Sequence, residues 1–368
     1  MEPLERTWTD LDAIRTSDRP LFPGLVLHYG IDDEIIFSRA AGWARCYLNR
    51  AGDWLPEAER TSMRTDTVFD LASISKLFCS LVIMQLVEQG AIELDRPVID
   101  YLPEFAAAGK EAVTVRQLLI HTSGFPALVP LWQLYPDRAT RIRGALTAEL
   151  VTEPGTAYCY SDLNLITLGE LAHRVSGSPL DELVGQRVTG PLGMNDTGYA
   201  PDPALRTRTA ATEDEHVPDR GMVWGEVHDE NAWSLDGVAG HAGVFSTAAD
   251  LAVLAQAMIH RGRLGEVRIL GEQAFTEMIT NQTPDFDGHD HGLGFEINQP
   301  WYMGRLAGPH TIGHTGFTGT SLVIDLHRAA YAILLTNRVH PHRERGKINH
   351  AREIAGDGLA DHLRVSSR

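Results

Sequence analysis

The sequence predicts a mixed α/β fold of the α+β kind, with one sheet assembled from both chain ends and a mainly helical lobe inserted between them. Three observations lead there: β-rich runs cluster at 22–42 and again at 292–337, helix punctuation is dense through the middle third, and an amphipathic helix closes the chain. At 368 residues the chain is long for one small core and suits a two-lobed globule. The sheet lobe is expected from 1–95 and 256–368, the helical lobe from 96–255. A cleft between the lobes is where a small-molecule site is expected.

The elements follow in chain order. FPGLVLHYGIDDEIIFSRAAG (22–42) reads as two strands around the turn signal Gly30-Ile31-Asp32-Asp33, an early hairpin. After LASISKLF (71–78) the period changes: Leu77, Leu81, Met84 and Val87 recur at helical spacing, and Gly90 supplies a stop. That helix starts close to Ser73. Thr114 with Gln117, and Ser178 with Pro179 and Asp181, have the form of helix N-caps, while Gly177 ends the preceding helix. Thr247 with Asp250 opens another apolar helix. GLGFEI (292–297), TSLVIDL (320–326) and AAYAILLTN (329–337) are β-rich. A final helix places Ile348, Ala351, Ile354, Ala355, Leu359 and Leu363 on one face.

Composition removes several classes of function. Hydrophobic residues at 43% and charged residues at 22% are those of a soluble globular chain. A net charge of -17 repels a phosphate backbone, so nucleic acid is not an expected partner. No stretch approaches 18 uninterrupted apolar residues, so no membrane span is expected. The acidic, mixed start MEPLERTWTDLDAIR is unlike a secretory signal, and a cytoplasmic location is expected. Cys46, Cys79 and Cys159 are odd in number and widely spaced, which fits reduced, mostly buried thiols.

LASISKLF raises the question of chemistry. Ser73 and Lys76 lie three apart and share a helix face, whereas Ser75 is adjacent to the lysine and points elsewhere. At the first turn of a helix, the Ser73 hydroxyl sits near unpaired N–H groups and the positive dipole end. A serine needs activation to attack, and a lysine partly shielded from water can hold or pass the proton. S-x-x-K alone is a weak signal, equally that of a helix cap beside a solvated lysine. Two further stretches carry polar groups in the same chain order: EPGTAYCYSDLN (153–164), with Tyr160-Ser161-Asp162 ahead of a helix, and IGHTGFTGTSLVID (312–325), with His314-Thr315-Gly316 leading into a strand.

With these three elements the sequence resembles the serine β-lactamase and penicillin-binding-protein superfamily, whose signatures are S-x-x-K, Y-x-N or S-x-N, and [KH]-T-G. Order and spacing are similar to its class C-like branch, which also holds esterases, D-aminopeptidases and DD-peptidases. TVRQLLIHTSGFP (114–126), PLGMNDTGY (191–199) and GVAGHAGVFSTAADLA (237–252) extend the likeness over nearly the whole chain, and VHDENA (227–232) and TNRVHP (336–341) look most like penicillin-binding-protein 4B-type members. The resemblance implies an antiparallel sheet flanked by helices. It implies Ser73 as nucleophile, Lys76 as its partner and Tyr160 as general base. The phenol has a reference pKa near ~10, so it needs the lysine charge beside it to act at neutral pH. The implied oxyanion hole is the backbone N–H of Ser73 and of Phe317, such donors being worth ~3 kcal/mol each. Asp162, His314, Thr315 and Gly316 are the implied substrate-binding residues, and no metal or organic cofactor is implied.

Two positions depart from the family pattern. Asp162 stands where many relatives have asparagine; an ionised aspartate only accepts hydrogen bonds, and its charge holds Lys76 protonated, shifting the base role toward Tyr160. His314 replaces the usual lysine and removes a permanent charge that would meet a substrate carboxylate. His121, His228, Asp229 and His241 are read as local hydrogen-bonding anchors. Asp285, Asp287, His289, Asp290 and His291 lack metal-site spacing and are read as an exposed acidic loop. Trp224 and Trp233 either line an acyl pocket or pack.

The expectation is a serine hydrolase acting through an acyl-enzyme on a small ester, amide or lactam. A carboxylic ester or small amide ranks first, a D-Ala-D-Ala peptide second, a β-lactam third, and acyl transfer or a non-catalytic binding module remains open. An α/β-hydrolase is disfavoured because no G-x-S-x-G occurs. Oligomeric state is left open.

Overall fold

The computed structural model describes residues 2–366. Its centre is a seven-stranded antiparallel sheet: β1 (Gly24–Ile31), β2 (Glu34–Arg45), β3 (Thr61–Ser62), β4 (Glu296–Ile297), β5 (Thr311–Gly316), β6 (Thr320–Asp325) and β7 (Ala330–Thr336). In space the order is β4-β5-β6-β7-β1-β2-β3, so the last strand pairs with the first and the two chain ends share one sheet. Leu25 faces Thr336 and Ile31 faces Ala330 across that junction. The early hairpin turns at Asp32 and Asp33, with Asp32 in the left-handed region that short polar side chains tolerate.

Strand residues alternate between two cores. Leu25, Leu27, Tyr29, Ala332 and Leu334 face one side, where the helices α1 (Pro3–Thr16) and α5 (Asn349–Ser366) cover the sheet. Val26, Tyr331, Ile333 and Leu335 face the other, where α4 (Ala248–Ile259) lies on the strands and the larger core continues into α2 (Ser75–Glu88) and α3 (Asp162–Ser176). A sheet covered on both faces needs apolar residues at every position, which is why β7 reads AYAILLT.

Most end signals hold. Thr114 accepts from the Gln117 amide in a capping box, Thr247 accepts from the Asp250 amide, and Gly177 closes α3 at φ +76°. Two differ. Ser178 does not cap; the extended Pro179 takes the N-cap position of the helix Leu180–Val184, and the Ser178 carbonyl is engaged by His173 and Ser176. GLGFEI contributes only Glu296 and Ile297 to the sheet. Gly294, at φ +100°, turns the chain against α2, where a Cβ would lie 2.2 Å from Ser80 Oγ.

Candidate active site

Ser73 lies on a 3₁₀ turn (Ala72–Ile74) that runs directly into α2, and Ala72 is held at φ +48°. The Asp70 carboxylate accepts from the Ala72 amide (2.8 Å) and so shapes the turn. Thr318 Oγ1 donates to the Asp70 carbonyl (2.7 Å) and Thr320 Oγ1 to the Leu71 carbonyl (3.0 Å), tying the turn to β5 and β6. Gly316 makes the contact possible: a Cβ there would lie 2.2 Å from the Leu71 carbonyl oxygen. Ser75 Oγ accepts from the Val244 amide (2.9 Å) and is fully buried. It anchors the short strand Val244–Ser246 instead of reaching the cleft, because successive residues of a helical turn point about 100° apart.

Lys76 is 1% exposed, and its ammonium has three acceptors for its three hydrogens: Ser73 Oγ at 2.9 Å, Asp162 Oδ1 at 2.8 Å and the His241 carbonyl at 3.2 Å. Nζ also lies 4.8 Å from the centre of the Tyr160 ring. Burial opposes a charge on Lys76, yet Asp162 and then Tyr160 outweigh it and hold the ammonium above its ordinary value. Burial pushes the Tyr160 phenol up; Lys76 pulls it down and Asp162 pushes it up again, leaving it above its ordinary value.

The segment carrying Tyr160 is fastened by His121. Its carbonyl accepts from the Cys159 amide, its Nδ1 accepts from the Ser161 amide (3.1 Å) and lies 2.9 Å from Asn164 Nδ2, and its ring packs 4.6 Å from that of Tyr160. His121 is the anchor expected of it. His228 and His241 likewise engage carboxylates, Nε2 to Glu213 and Nε2 to Asp229, both at 2.8 Å.

Ser73, Tyr160, His314, Thr315, Gly316 and Phe317 line one cleft of about 580 Å³, while Lys76 and Asp162 make their contacts from behind Ser73. His314 is buried, and burial followed by the charge of Lys76 lowers its pKa to about 3, so the imidazole is neutral; Nδ1 donates to the Thr315 carbonyl (2.8 Å). Among the described residues neither the Ser73 nor the Phe317 amide has a partner within the chain. The Phe317 side chain is 48% exposed, stacked on His228 and under the Arg338 guanidinium, 4.7 Å away.

The same cleft is also lined by groups that the sequence reading missed: Tyr158, Glu296, Trp301, Arg338, Lys347 and Arg352. Burial raises Glu296 to about 7. Arg352 donates to the carbonyls of Gly316 (2.7 Å) and Thr320 (3.0 Å). A signal for it existed, since 352 lies one turn from Ile348 within the apolar face of the last helix. Trp224 and Trp233 do not line the cleft; Trp224 donates to the Thr209 carbonyl and packs under Arg45, and Trp233 packs under Arg220.

The 285–291 stretch is only partly the exposed loop expected. Asp285, Asp287 and His289 are exposed, but Asn281 and Asn298 donate to the Asp290 carboxylate, Thr283 Oγ1 donates to the His289 carbonyl, and His291 is buried beside the cleft. His289 stacks on Tyr158 with centroids 4.4 Å apart. Among the described residues, the groups close enough to hold a cation lie elsewhere, at Asp162, Asp229 and His241 and at Glu213, Glu215 and His228. Lys76 already engages the first, through Asp162, and Arg343 the second.

Comparison with known proteins follows from this geometry. The Beta-lactamase family model matches residues 14–357. The chain is 33% identical over 356 residues to a putative D-alanyl-D-alanine carboxypeptidase of Escherichia coli (strain K12), covering 87% of this chain and 79% of that protein. Among solved structures it is similar to a class C beta-lactamase (TM-score 0.76, 18% identity, 97% of this chain and 96% of that one). It is also similar to EstCE1, a hydrolase with promiscuous acyltransferase activity (TM-score 0.74, 21% identity, 97% and 98%), and to a family VIII carboxylesterase (TM-score 0.70, 23% identity, 97% and 98%). At these identities the structures speak for the fold.

Proposed function

The chain belongs to the Beta-lactamase family, and on that footing we propose that this hydrolase works through an acyl-enzyme on Ser73, acting on a small carboxylic ester or amide. The observation that carries the reading is the environment of Lys76. An ammonium whose three hydrogens are all committed has no lone pair with which to take a proton, yet it fixes Ser73 Oγ from behind. The proton of Ser73 therefore passes to Tyr160, whose phenol burial and Asp162 push above its ordinary value while the charge of Lys76 and a hydrogen bond from Ser73 oppose them.

Ser73 Oγ bonds to the substrate carbonyl carbon, and the oxyanion is received by the Ser73 and Phe317 amides. Tyr160 returns the proton to the leaving alcohol or amine as the C–O or C–N bond breaks. In the second half Tyr160 takes a proton from water, the hydroxide attacks the acyl carbon, and Ser73 is released with its proton restored. With an alcohol in place of water, the same residues carry out acyl transfer.

The ester or amide reading is supported by the neutral His314, which offers no fixed cation to a β-lactam carboxylate. A second reading, a D-Ala-D-Ala carboxypeptidase, is supported by the 33% identical relative and by Arg338, Lys347 and Arg352 on the cleft wall, which suit a peptide carboxylate. Intact-mass analysis after a fluorophosphonate is expected to show one adduct, absent in Ser73→Ala; no adduct, or one retained in that variant, overturns the mechanism. A rate panel of p-nitrophenyl esters, a chromogenic cephalosporin and a D-Ala-D-Ala peptide ranks the substrates, and dominant peptide or cephalosporin turnover reverses the order given above.

A further inference from the structure

We infer that Asp229, oriented by His241, is a second counter-anion of Lys76 and a positioning residue that keeps the ammonium charged and seated on Ser73. The inference rests on the acyl-enzyme reading for its consequence, but its geometry stands independently. His241 touches the site twice: its main-chain carbonyl accepts from Lys76 Nζ at 3.2 Å, and its Nε2 donates to Asp229 Oδ1 at 2.8 Å. The same carboxylate oxygen accepts from the Ala232 amide at 2.7 Å, as the cap of the helix Glu230–Ser234. The polar atoms of Asp162, Asp229 and His241 all lie within 4.8 Å of one another.

Asp229 thus stands beside the carboxylate that Lys76 touches, and acts on the lysine through space. Inside a protein an opposite charge favours the charged form, because little water intervenes, and the effect weakens with distance. The coupling is reciprocal. Burial would raise the Asp229 carboxyl, but His241, the Ala232 amide and Lys76 together hold it well below the usual carboxylate range. Fully burying an ammonium costs several kcal/mol, which a single half-buried Asp162 has to offset if it acts alone. Two carboxylates around one lysine explain why VHDENA and GVAGHAG, neither of which lines the cleft, both converge on the back of S-x-x-K.

Other titratable groups also feel the lysine: the neutral imidazoles His121 and His314, the Cys79 thiol that burial raises to about 12, and Glu296 at about 7. Tyr160 shares the site as the coupled phenol. Titrations are therefore compared above about pH 8.5, where Glu296 is ionised in every variant.

The chain has three lysines, Lys76, Lys110 and Lys347, so selective ¹³Cε-lysine NMR resolves each, with Lys110→Arg and Lys347→Arg giving the assignments. In the wild type, Lys76 is expected to remain charged above the ordinary lysine value of about 10.4. Asp229→Asn is expected to lower the Lys76 midpoint by about one unit or more and to bring down the alkaline limb of kcat by the same amount, with KM little changed. His241→Leu, which keeps the carbonyl on Lys76 but frees Asp229, is expected to give a smaller shift in the same direction. An unmoved midpoint in Asp229→Asn overturns the inference, and an unmoved one in His241→Leu overturns the part given to His241. Should Asp229→Asn not fold, Asp162→Asn decides: with Asp229 as second anion the Lys76 midpoint stays at or above the ordinary lysine value of about 10.4, and a midpoint below it overturns the inference. Fluorophosphonate labelling separates the two readings, since a labelled Ser73 with an unmoved Lys76 sinks this inference alone.

Discussion

Asp162 is the carboxylate that Lys76 touches directly, at 2.8 Å. Its carboxylate stabilises Lys76 as a cation and, by the same charge, opposes a phenolate at Tyr160. A base works in its unprotonated form, so the rate rises with pH through the phenol's titration, and anything that raises the phenol moves that rise to higher pH. Asp162→Asn removes the opposing charge while keeping an acceptor for Lys76. The rising limb of the pH profile of kcat/KM for an ester is expected to move down by about one unit. An unmoved limb would detach Tyr160 from the base role. Asp162 was legible in the sequence as a departure, and the direction of its effect on Lys76 followed from charge alone. That the lysine would have all three hydrogens occupied was not legible, because the third acceptor is a carbonyl 165 residues away.

At the scale of elements, the 3₁₀ turn carrying Ser73 is held against β5 and β6 by two threonine hydroxyls and by the missing side chain of Gly316. Gly316→Ala places a methyl group 2.1 Å from Thr320 Oγ1 and 2.2 Å from the Leu71 carbonyl oxygen. The backbone oxygen cannot rotate away, so β5 and the turn must part. The expected result is a stability loss of about 1–3 kcal/mol in denaturant melts and a disproportionate loss of Ser73 labelling. Thr318→Val removes one hydrogen bond and is expected to cost only about 1 kcal/mol. Equal labelling in both variants would show that the turn does not depend on this contact. Sequence patterns placed a helix start close to Ser73 and the strand β6 within a residue of its observed end, since periodicity is a local signal, but they read His314-Thr315-Gly316 only as leading into a strand and not as the strand β5. They overstated GLGFEI as a strand, because the turn at Gly294 is imposed by the approach of α2, a tertiary contact.

For the whole molecule, the buried histidines set the response to acid. Burial lowers His28 and His291 to about 4, His314 and His340 to about 3, and His121 well below its ordinary value. An unfolded histidine titrates near about 6.5, so as pH falls below that value the unfolded chain binds protons that the folded chain refuses, and stability falls. Glu215 and Glu296, both raised to about 7, act in the opposite sense, favouring the folded state as pH falls from 7 toward their unfolded value. Five histidines against two glutamates leave a net uptake on unfolding on the order of three protons near pH 5.5. Tm is therefore expected to fall steadily from pH 7 to pH 5, and a flat or rising Tm over that interval would show that the histidines are not held neutral.

By itself the sequence determined the order of the elements, the sheet shared by the two chain ends, and the three short stretches that meet at the cleft. These are set by period, punctuation and residue type, all of which act over a few positions. Only the tertiary structure decided that Ser75 anchors a neighbouring strand, that His241 and Asp229 close around the back of Lys76, and that Arg338, Lys347, Arg352 and Trp301 join the lining of the cleft. Those choices depend on which distant side chains packing brings within a few ångströms and shields from water, and no local pattern carries that information.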